Sequence, residues 1–278
     1  MIASDFKYFK PASVAELSKT FRDRQDQGDS TLFYSGGTEI ITLSRVNQIQ
    51  ADSVIDIKGI AECNVLEVHE DKLLIGAAVS LNQITDSKLF PLLGDTLKQI
   101  ADHTSRNKIT IGGNMNSKLM YRESVLPLLL VDAKVKITKG NDEKIALLSS
   151  LFDKKMKLNP GEVLLQIIID TSYIDLPYTS IKKTKISKVG YPVVTVAAIV
   201  KDKKIRLAFS GICDHPFRSS ELEKIVNDSS LSIHKRIEKL IERLPSAIVD
   251  DIQATKGYRA FVLKNVLQDV MEEMEVAE

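Results

Sequence analysis

Tryptophan is absent and cysteine nearly so: the 278 residues hold only Cys63 and Cys213. The two lie far apart and neither has a CxxC partner, which excludes an iron–sulfur cluster or zinc site built from this chain alone. So little cysteine also fits a reducing compartment, and cytoplasm is the expected location. Histidine is sparse as well, and His69, His103, His215 and His234 fall in no metal-ligand spacing such as HExxH; each is expected to be a surface or structural residue. Charge of either sign is not in excess, with 38 Lys+Arg against 37 Asp+Glu and a net charge of +1, so neither nucleic acid nor an acidic membrane surface is an expected partner. No apolar run approaches the roughly 20 residues of a bilayer-spanning helix, and the first seven residues lack the basic-then-apolar order of a signal peptide. A Walker A motif, a GxGxxG after a strand and a GxSxG elbow are all missing. What is present is a chain with 44% hydrophobic and 27% charged residues, ordinary for a soluble globular protein and long enough for two domains.

Against that background two diglycines stand out: Tyr34-Ser35-Gly36-Gly37-Thr38-Glu39 and Thr110-Ile111-Gly112-Gly113-Asn114-Met115. Adjacent glycines let the backbone turn sharply, take positive φ and come close to a ligand. Consecutive N–H groups in such a turn form a concave nest for phosphate oxygens. Each turn closes on a small polar side chain, Thr38 or Asn114, so the pair reads as a clamp on one anion from two sides, with a dinucleotide pyrophosphate as the candidate.

Taken in order, Ser13 and Glu16 form a capping box for a helix with Val14, Leu17 and Phe21 on one face. Strands are expected at Thr31–Tyr34 and, after a polar stretch, at Ser53–Ile57, giving a small β–α–β lobe. Residues 65–69 and 72–77 read as a hairpin about Glu70-Asp71. Ser80 and Gln83 are a second capping box, and a further helix is expected over Leu92–His103. Ser117–Val131 is apolar enough for a partly buried helix that Pro127 kinks or ends, whose N-terminus would favour a nearby phosphate. Strands follow at 133–137, 144–147 and 163–169, the first two about the turn Lys139–Asp142. After a break near Pro177 come strands at 179–183, 193–200 and 205–211. Ser220 with Glu223 reads as a third capping box, with helices over about 220–226, 232–244 and 257–274 and a charged, frayed tail from Met271 to Glu278. Three antiparallel strands backed by helices are the simplest packing for this C-terminal part. Of the basic runs, expected to be solvated strand ends, Lys182 alone is a candidate for a phosphate contact.

The order and wording of these motifs resemble the FAD-binding subunit, or middle domain, of the molybdenum hydroxylases, the xanthine dehydrogenase and carbon monoxide dehydrogenase family. The resemblance runs through Gly36-Gly37-Thr38-Glu39, Val54-Ile55-Asp56-Ile57, Ile75-Gly76-Ala77, Thr110–Asn114, Pro160-Gly161-Glu162, Gly211, Pro216-Phe217-Arg218 and Tyr258-Arg259, and so covers nearly the whole chain. It implies an α+β fold: a two-lobed FAD-binding domain of the molybdopterin dehydrogenase (PCMH-like) type over 1–172, with lobes at about 1–58 and 59–172. A smaller domain over 173–278, with a three-stranded antiparallel sheet and helices, would cover the flavin. Carried over residue by residue, Phe33, Tyr34, Ser35, Gly36, Gly37, Thr38, Glu39 and Ile40 would wrap the FAD pyrophosphate through backbone amides. Thr110, Ile111, Gly112, Gly113 and Asn114 would close over the phosphates and ribityl. Glu123 stands where the family has an Asp that hydrogen-bonds the cofactor, and Leu119-Met120 replaces its usual Ser-Pro pair. Ile100 would border the flavin, Leu164 would pack on it, and Lys182 would approach it; Tyr191 is a candidate to stack on or shield the ring.

The implied function is an oxidoreductase's electron-transfer subunit with no catalytic side chain of its own. It would take electrons from [2Fe-2S] clusters on a small partner subunit, themselves fed by a molybdenum-cofactor large subunit, and pass them through FAD to NAD+ or another acceptor. Two alternatives remain: a self-contained flavin-dependent reductase of related fold, such as that of cell-wall amino-sugar synthesis, and a degenerate paralogue that no longer holds FAD.

Overall fold

The structure is a computed structural model and describes residues 5–140, 142–187 and 189–276. The chain forms two compact units. The first comprises Met1–Ile84, His103–Ser117 and Ala133–Ile169; the second comprises Thr85–Asp102, Lys118–Asp132 and Asp170–Glu278.

In the first unit, a three-stranded parallel sheet places Ser53–Asp56 between Lys7–Phe9 and Thr31–Tyr34. Parallel strands need a crossover: the helix Val14–Asp26 joins the two outer strands, and the helix Thr38–Arg45 joins Thr31–Tyr34 to its neighbour Ser53–Asp56. Ser13 caps the first of these helices, accepting from the Glu16 amide, while the Glu16 carboxylate accepts from Ala12 N–H at 2.7 Å. Phe21 on the helix stacks on Phe33 of the sheet, with ring centroids 5.2 Å apart. The edge strand Lys7–Phe9 is too short and too polar to show as a periodic pattern. The stretch after the first diglycine, unassigned from sequence, is the helix Thr38–Arg45, and none of its residues is fully buried.

The second sheet of this unit has five strands in the order Leu66–His69, Lys72–Gly76, Glu162–Asp170, Lys134–Lys139, Asp142–Leu147. The expected hairpin about Glu70-Asp71 is present, with Glu70 at φ 52°. The turn expected at Lys139–Asp142 joins the last two strands, and Asn141 within it lies outside the described residues. The Ser80–Gln83 capping box forms as expected, with Gln83 Oε1 accepting from the Ser80 amide at 2.9 Å.

The second unit is built on an antiparallel sheet. The three expected strands, at Tyr178–Thr184, Pro192–Lys201 and Lys204–Ser210, carry a two-residue fourth, Phe217–Arg218, on the edge. The strand Pro192–Lys201 is buried along nearly its whole length, as expected where both faces of a sheet are covered. Val194, Val196, Ala198 and Val200 join the core with Val262, Leu263, Val266 and Leu267 of the helix Lys256–Val276. The helices Pro91–Lys98 and Val125–Leu130 belong to this unit and pack on its strands.

Four helical expectations need correction. The helix expected over Leu92–His103 starts at Pro91, the favoured first position for proline, and ends at Lys98. That expected over Ser117–Val131 is only Val125–Leu130, because Arg122, at φ 32°, breaks any earlier turn; Pro127 sits in its first turn, where no intrahelical N–H is required. The third capping box is shifted by one residue: Ser219, not Ser220, accepts from the Leu222 amide, and Glu223 instead holds Arg218 at 2.7 Å. The tail is not frayed as far as Val276, since Met271 and Met274 are buried; Ala277 and Glu278 lie outside the described residues.

Candidate cofactor site

The first diglycine leaves the strand Thr31–Tyr34 and enters the helix Thr38–Arg45 with Gly37 at φ 73°, a left-handed conformation that glycine adopts without strain. No side chain caps this helix. Among the described residues, the amides of Gly36, Gly37 and Thr38 meet no acceptor, so three consecutive donors stand unsatisfied in a turn at a helix N-terminus. The Ser35 hydroxyl beside them is buried and without a partner. Buried hydroxyls are rarely left so, because the desolvation cost is unrecovered.

The turn is held rigidly. A Cβ on Gly36 would lie 2.1 Å from the Lys108 carbonyl oxygen and 3.1 Å from the Thr110 nitrogen, so only glycine lets these two segments of the first unit touch. The Glu39 carboxylate accepts from Ser117 Oγ. On the other side Lys58 Nζ donates to the Ser35 carbonyl at 2.6 Å and lies 4.4 Å from the centre of the Tyr34 ring. Asp56, 2% exposed, takes Lys58 Nζ at 2.8 and 2.9 Å and the Tyr8 hydroxyl at 2.5 Å. That hydrogen bond to a carboxylate, with burial, pushes the Tyr8 phenol up to about 12. Beside this network lies a cavity of about 330 Å³ lined by Tyr8, Leu32, Tyr34, Ile40 and Ile41. Phe33 turns the other way, onto Phe21.

The second diglycine differs from its expectation. It lies in a short helix, Ile111–Met115, capped by Thr110, whose Oγ1 accepts from the Gly113 amide at 3.2 Å. Ile111 donates to the Val79 carbonyl, Gly112 to the Ala77 carbonyl, both at 3.0 Å, and Asn114 to the Thr110 carbonyl at 2.9 Å. These amides are all used within the chain, so this turn is not a free nest, and neither glycine takes positive φ. Gly112 is needed for close packing, since a Cβ there would meet the Ala77 carbonyl oxygen at 2.7 Å. Gly113 is exposed, and a Cβ on it would meet only the Thr110 hydroxyl, at 2.9 Å. Leu164, also in this unit, is buried beside an irregularity in the pairing of Glu162–Asp170 with Lys134–Lys139.

In the second unit, Glu123 and Lys182 find each other. Lys182 Nζ lies 3.1 and 3.2 Å from the two carboxylate oxygens and donates to the Gln99 carbonyl at 2.7 Å, next to the buried Ile100. Thr195, on the side of its strand opposite Val194 and Val196, donates to Glu123 Oε1 at 3.0 Å. Burial raises the Glu123 carboxyl above its ordinary value against the pull of Lys182 and Thr195. Lys182 is therefore not the solvated strand end expected of the basic runs. Tyr191 is half exposed and stacks on Tyr121, centroids 4.8 Å apart and planes 18° apart. Sequence reasoning missed Tyr8, Lys58, Thr195 and Tyr121. Only Asp56, inside the Val54–Ile57 motif, pointed toward this network.

Among the described residues, no group of three or more His, Cys, Asp or Glu is placed to hold a metal ion, and no helix is long and apolar enough to cross a membrane. Both cysteines are buried, and neither is in a disulfide.

The chain is similar over 93% of its length to the glyceraldehyde dehydrogenase medium chain of Sulfolobus acidocaldarius, at 25% identity and over 92% of that protein. It is 21% identical to the xanthine dehydrogenase FAD-binding subunit of Escherichia coli O157:H7, covering 96% of this chain and 94% of that one. Its fold matches a solved carbon monoxide dehydrogenase from Hydrogenophaga pseudoflava with a TM-score of 0.87, at 18% identity and over 98% of both chains. Quinoline 2-oxidoreductase from Pseudomonas putida 86 matches with a TM-score of 0.85, at 19% identity, over 100% of this chain and 99% of that one. Residues 4–171 match the family model described as the FAD binding domain in molybdopterin dehydrogenase, and the chain belongs to that family.

Proposed function

We propose that this chain is the electron-relay subunit of a multisubunit molybdenum hydroxylase. In this reading it takes electrons from [2Fe-2S] clusters on a small partner subunit, fed by a molybdenum-cofactor large subunit, and passes them to NAD+ or another acceptor. Membership of the family makes it an FAD-binding oxidoreductase subunit; the partners, the acceptor and a cytoplasmic location are the proposal. FAD, when bound, supplies the ability to collect electrons singly and release them as a pair.

The observation that carries the reading is the Ser35–Thr38 turn: three unsatisfied amides, a buried hydroxyl without a partner, and a helix N-terminus whose partial positive charge favours an anion. Those features fit a pyrophosphate. The residues that would hold FAD are Phe33–Ile40 at the phosphates, with the donors at Gly36, Gly37 and Thr38, and Thr110–Asn114, which would contribute the bare Cα of Gly113 and side chains instead of free amides. Ile100, Glu123, Leu164 and Lys182 would border the flavin end, with the Glu123–Lys182 pair acting as one preorganised unit. Residues 1–172 would be the FAD-binding domain and 173–278 the domain covering the flavin. The chain's work is to bind, orient and enclose the cofactor, which needs no acid–base side chain.

Isolation of the native assembly tests this reading. The expected result is co-purification with one chain holding a molybdenum cofactor and another holding iron–sulfur clusters, with NAD+ or another acceptor reduced by the complex. A flavin-loaded chain that turns over a substrate alone would overturn it in favour of a self-contained reductase.

A further inference from the structure

The Ser35–Gly36 peptide presents the first of the three free amides, and a peptide between a serine and a glycine that precedes a left-handed Gly37 has little of its own to prevent it from rotating. Something must hold it. All peptide bonds of the described residues are trans, so in each the C=O and N–H point in opposite directions within one plane. Lys58 Nζ donates to the Ser35 carbonyl at 2.6 Å, and the Gly36 N–H is thereby turned away from Lys58. The ammonium has three donors, and they are taken by that carbonyl and by the two oxygens of Asp56, at 2.9 and 2.8 Å. A lysine beside a phosphate turn would ordinarily be read as a direct phosphate contact; here no donor is left for one.

The support extends behind it. Parallel pairing sets Tyr34 opposite Asp56, and the Asp56 carboxylate caps the turn that follows by accepting from the Lys58 amide at 2.9 Å, which sends the Lys58 side chain back over Ser35. Tyr8, on the neighbouring strand, donates to Asp56 at 2.5 Å. We propose that Tyr8, Asp56 and Lys58 form a positioning relay that aims the Ser35–Gly36 peptide, fixing the Gly36 N–H toward a dinucleotide phosphate without touching the cofactor. The inference rests on the reading of this turn as the FAD pyrophosphate site.

The test uses the full chain, with FAD affinity measured by flavin fluorescence quenching and ADP as a competitor carrying the same pyrophosphate. Lys58→Met keeps the apolar stem and removes the ammonium; FAD and ADP dissociation constants are expected to rise together about tenfold, while the flavin-free protein melts within a few degrees of wild type. Lys58→Arg can still donate to the carbonyl and pair with Asp56, and should recover most of the affinity, which a loss of packing would not predict. Unchanged FAD affinity in folded Lys58→Met would overturn the relay. So would a steep salt dependence of wild-type binding that Lys58→Met abolishes, because it would put the ammonium on the phosphate itself. If Lys58→Met does not fold, Asp56→Asn and Tyr8→Phe carry the same expectation, in weaker form, and unchanged affinity in both would refute it. A wild-type chain that binds no FAD removes the underlying reading instead, before any variant is made.

Discussion

Replacing Gly113 with alanine separates a ligand's claim on that position from the fold's. Glycine inside a helix costs about 0.5–1 kcal/mol relative to alanine, so Gly113→Ala starts with that gain. Against it stands one contact: the new Cβ would lie 2.9 Å from Thr110 Oγ1, a rotatable hydroxyl that gives up part of a cap worth about 1 kcal/mol as it moves. The two nearly cancel, and the flavin-free protein should melt within about 3 °C of wild type for a chain of this size. FAD affinity should nevertheless fall at least tenfold, about 1.4 kcal/mol, because the exposed bare Cα is where the cofactor would approach. Gly36→Ala is the contrast. Its Cβ would sit 2.1 Å from the Lys108 carbonyl oxygen, a backbone atom, and overpacking of this kind costs about 1–3 kcal/mol, a melting shift of several degrees even without FAD. Calorimetry on the flavin-free proteins and flavin titrations on both variants make the comparison. Unchanged FAD binding by a folded Gly113→Ala protein would refute the assignment of Gly113 to the cofactor.

Two further outcomes concern the second unit. Lys182→Met leaves the Glu123 carboxylate buried without its counter-charge, expected to cost about 3–5 kcal/mol near neutrality. The Glu123 carboxyl is already raised above its ordinary value by burial, so its stabilising proton is held at low pH and lost as pH rises through the raised value; the deficit should shrink on acidification, as thermal denaturation across pH would show. Asp132 has the opposite sign. Burial favours its neutral form, but Arg206 and Arg218, each at 2.7 Å, outweigh that and lower its pKa. Its contribution is present above the ordinary carboxylate value of 3.8 and lost as pH falls through the lowered one. Asp132→Asn should therefore lower stability at pH 7 and flatten the acid limb of the stability curve.

Much of the architecture could be read from the chain because its signals are local. Ser13 and Glu16, Ser80 and Gln83, and the alternating apolar strands each fix their element with residues a few positions apart. The helix Thr38–Arg45 was hidden because its cap is a glycine. The region 117–124 misled because Arg122, at φ 32°, interrupts the backbone there and leaves Leu119 exposed outside any helix. At the candidate site, the paired glycines were legible, yet their two reasons were not: Gly37 serves a left-handed turn, whereas Gly112 serves contact with Ala77. Lys58 and Tyr8 could not be found from sequence, since their roles arise from strand pairing. The meeting of Glu123 with Lys182 joins residues 59 positions apart and likewise has no local trace.

The central claim is that this chain holds one FAD through the Ser35–Thr38 turn. Titration of the purified, flavin-free chain with FAD tests it most directly. Saturation at one FAD per chain with a dissociation constant in the micromolar range or tighter, displaced by ADP, is the predicted result. A folded chain that retains no flavin at micromolar FAD would contradict it.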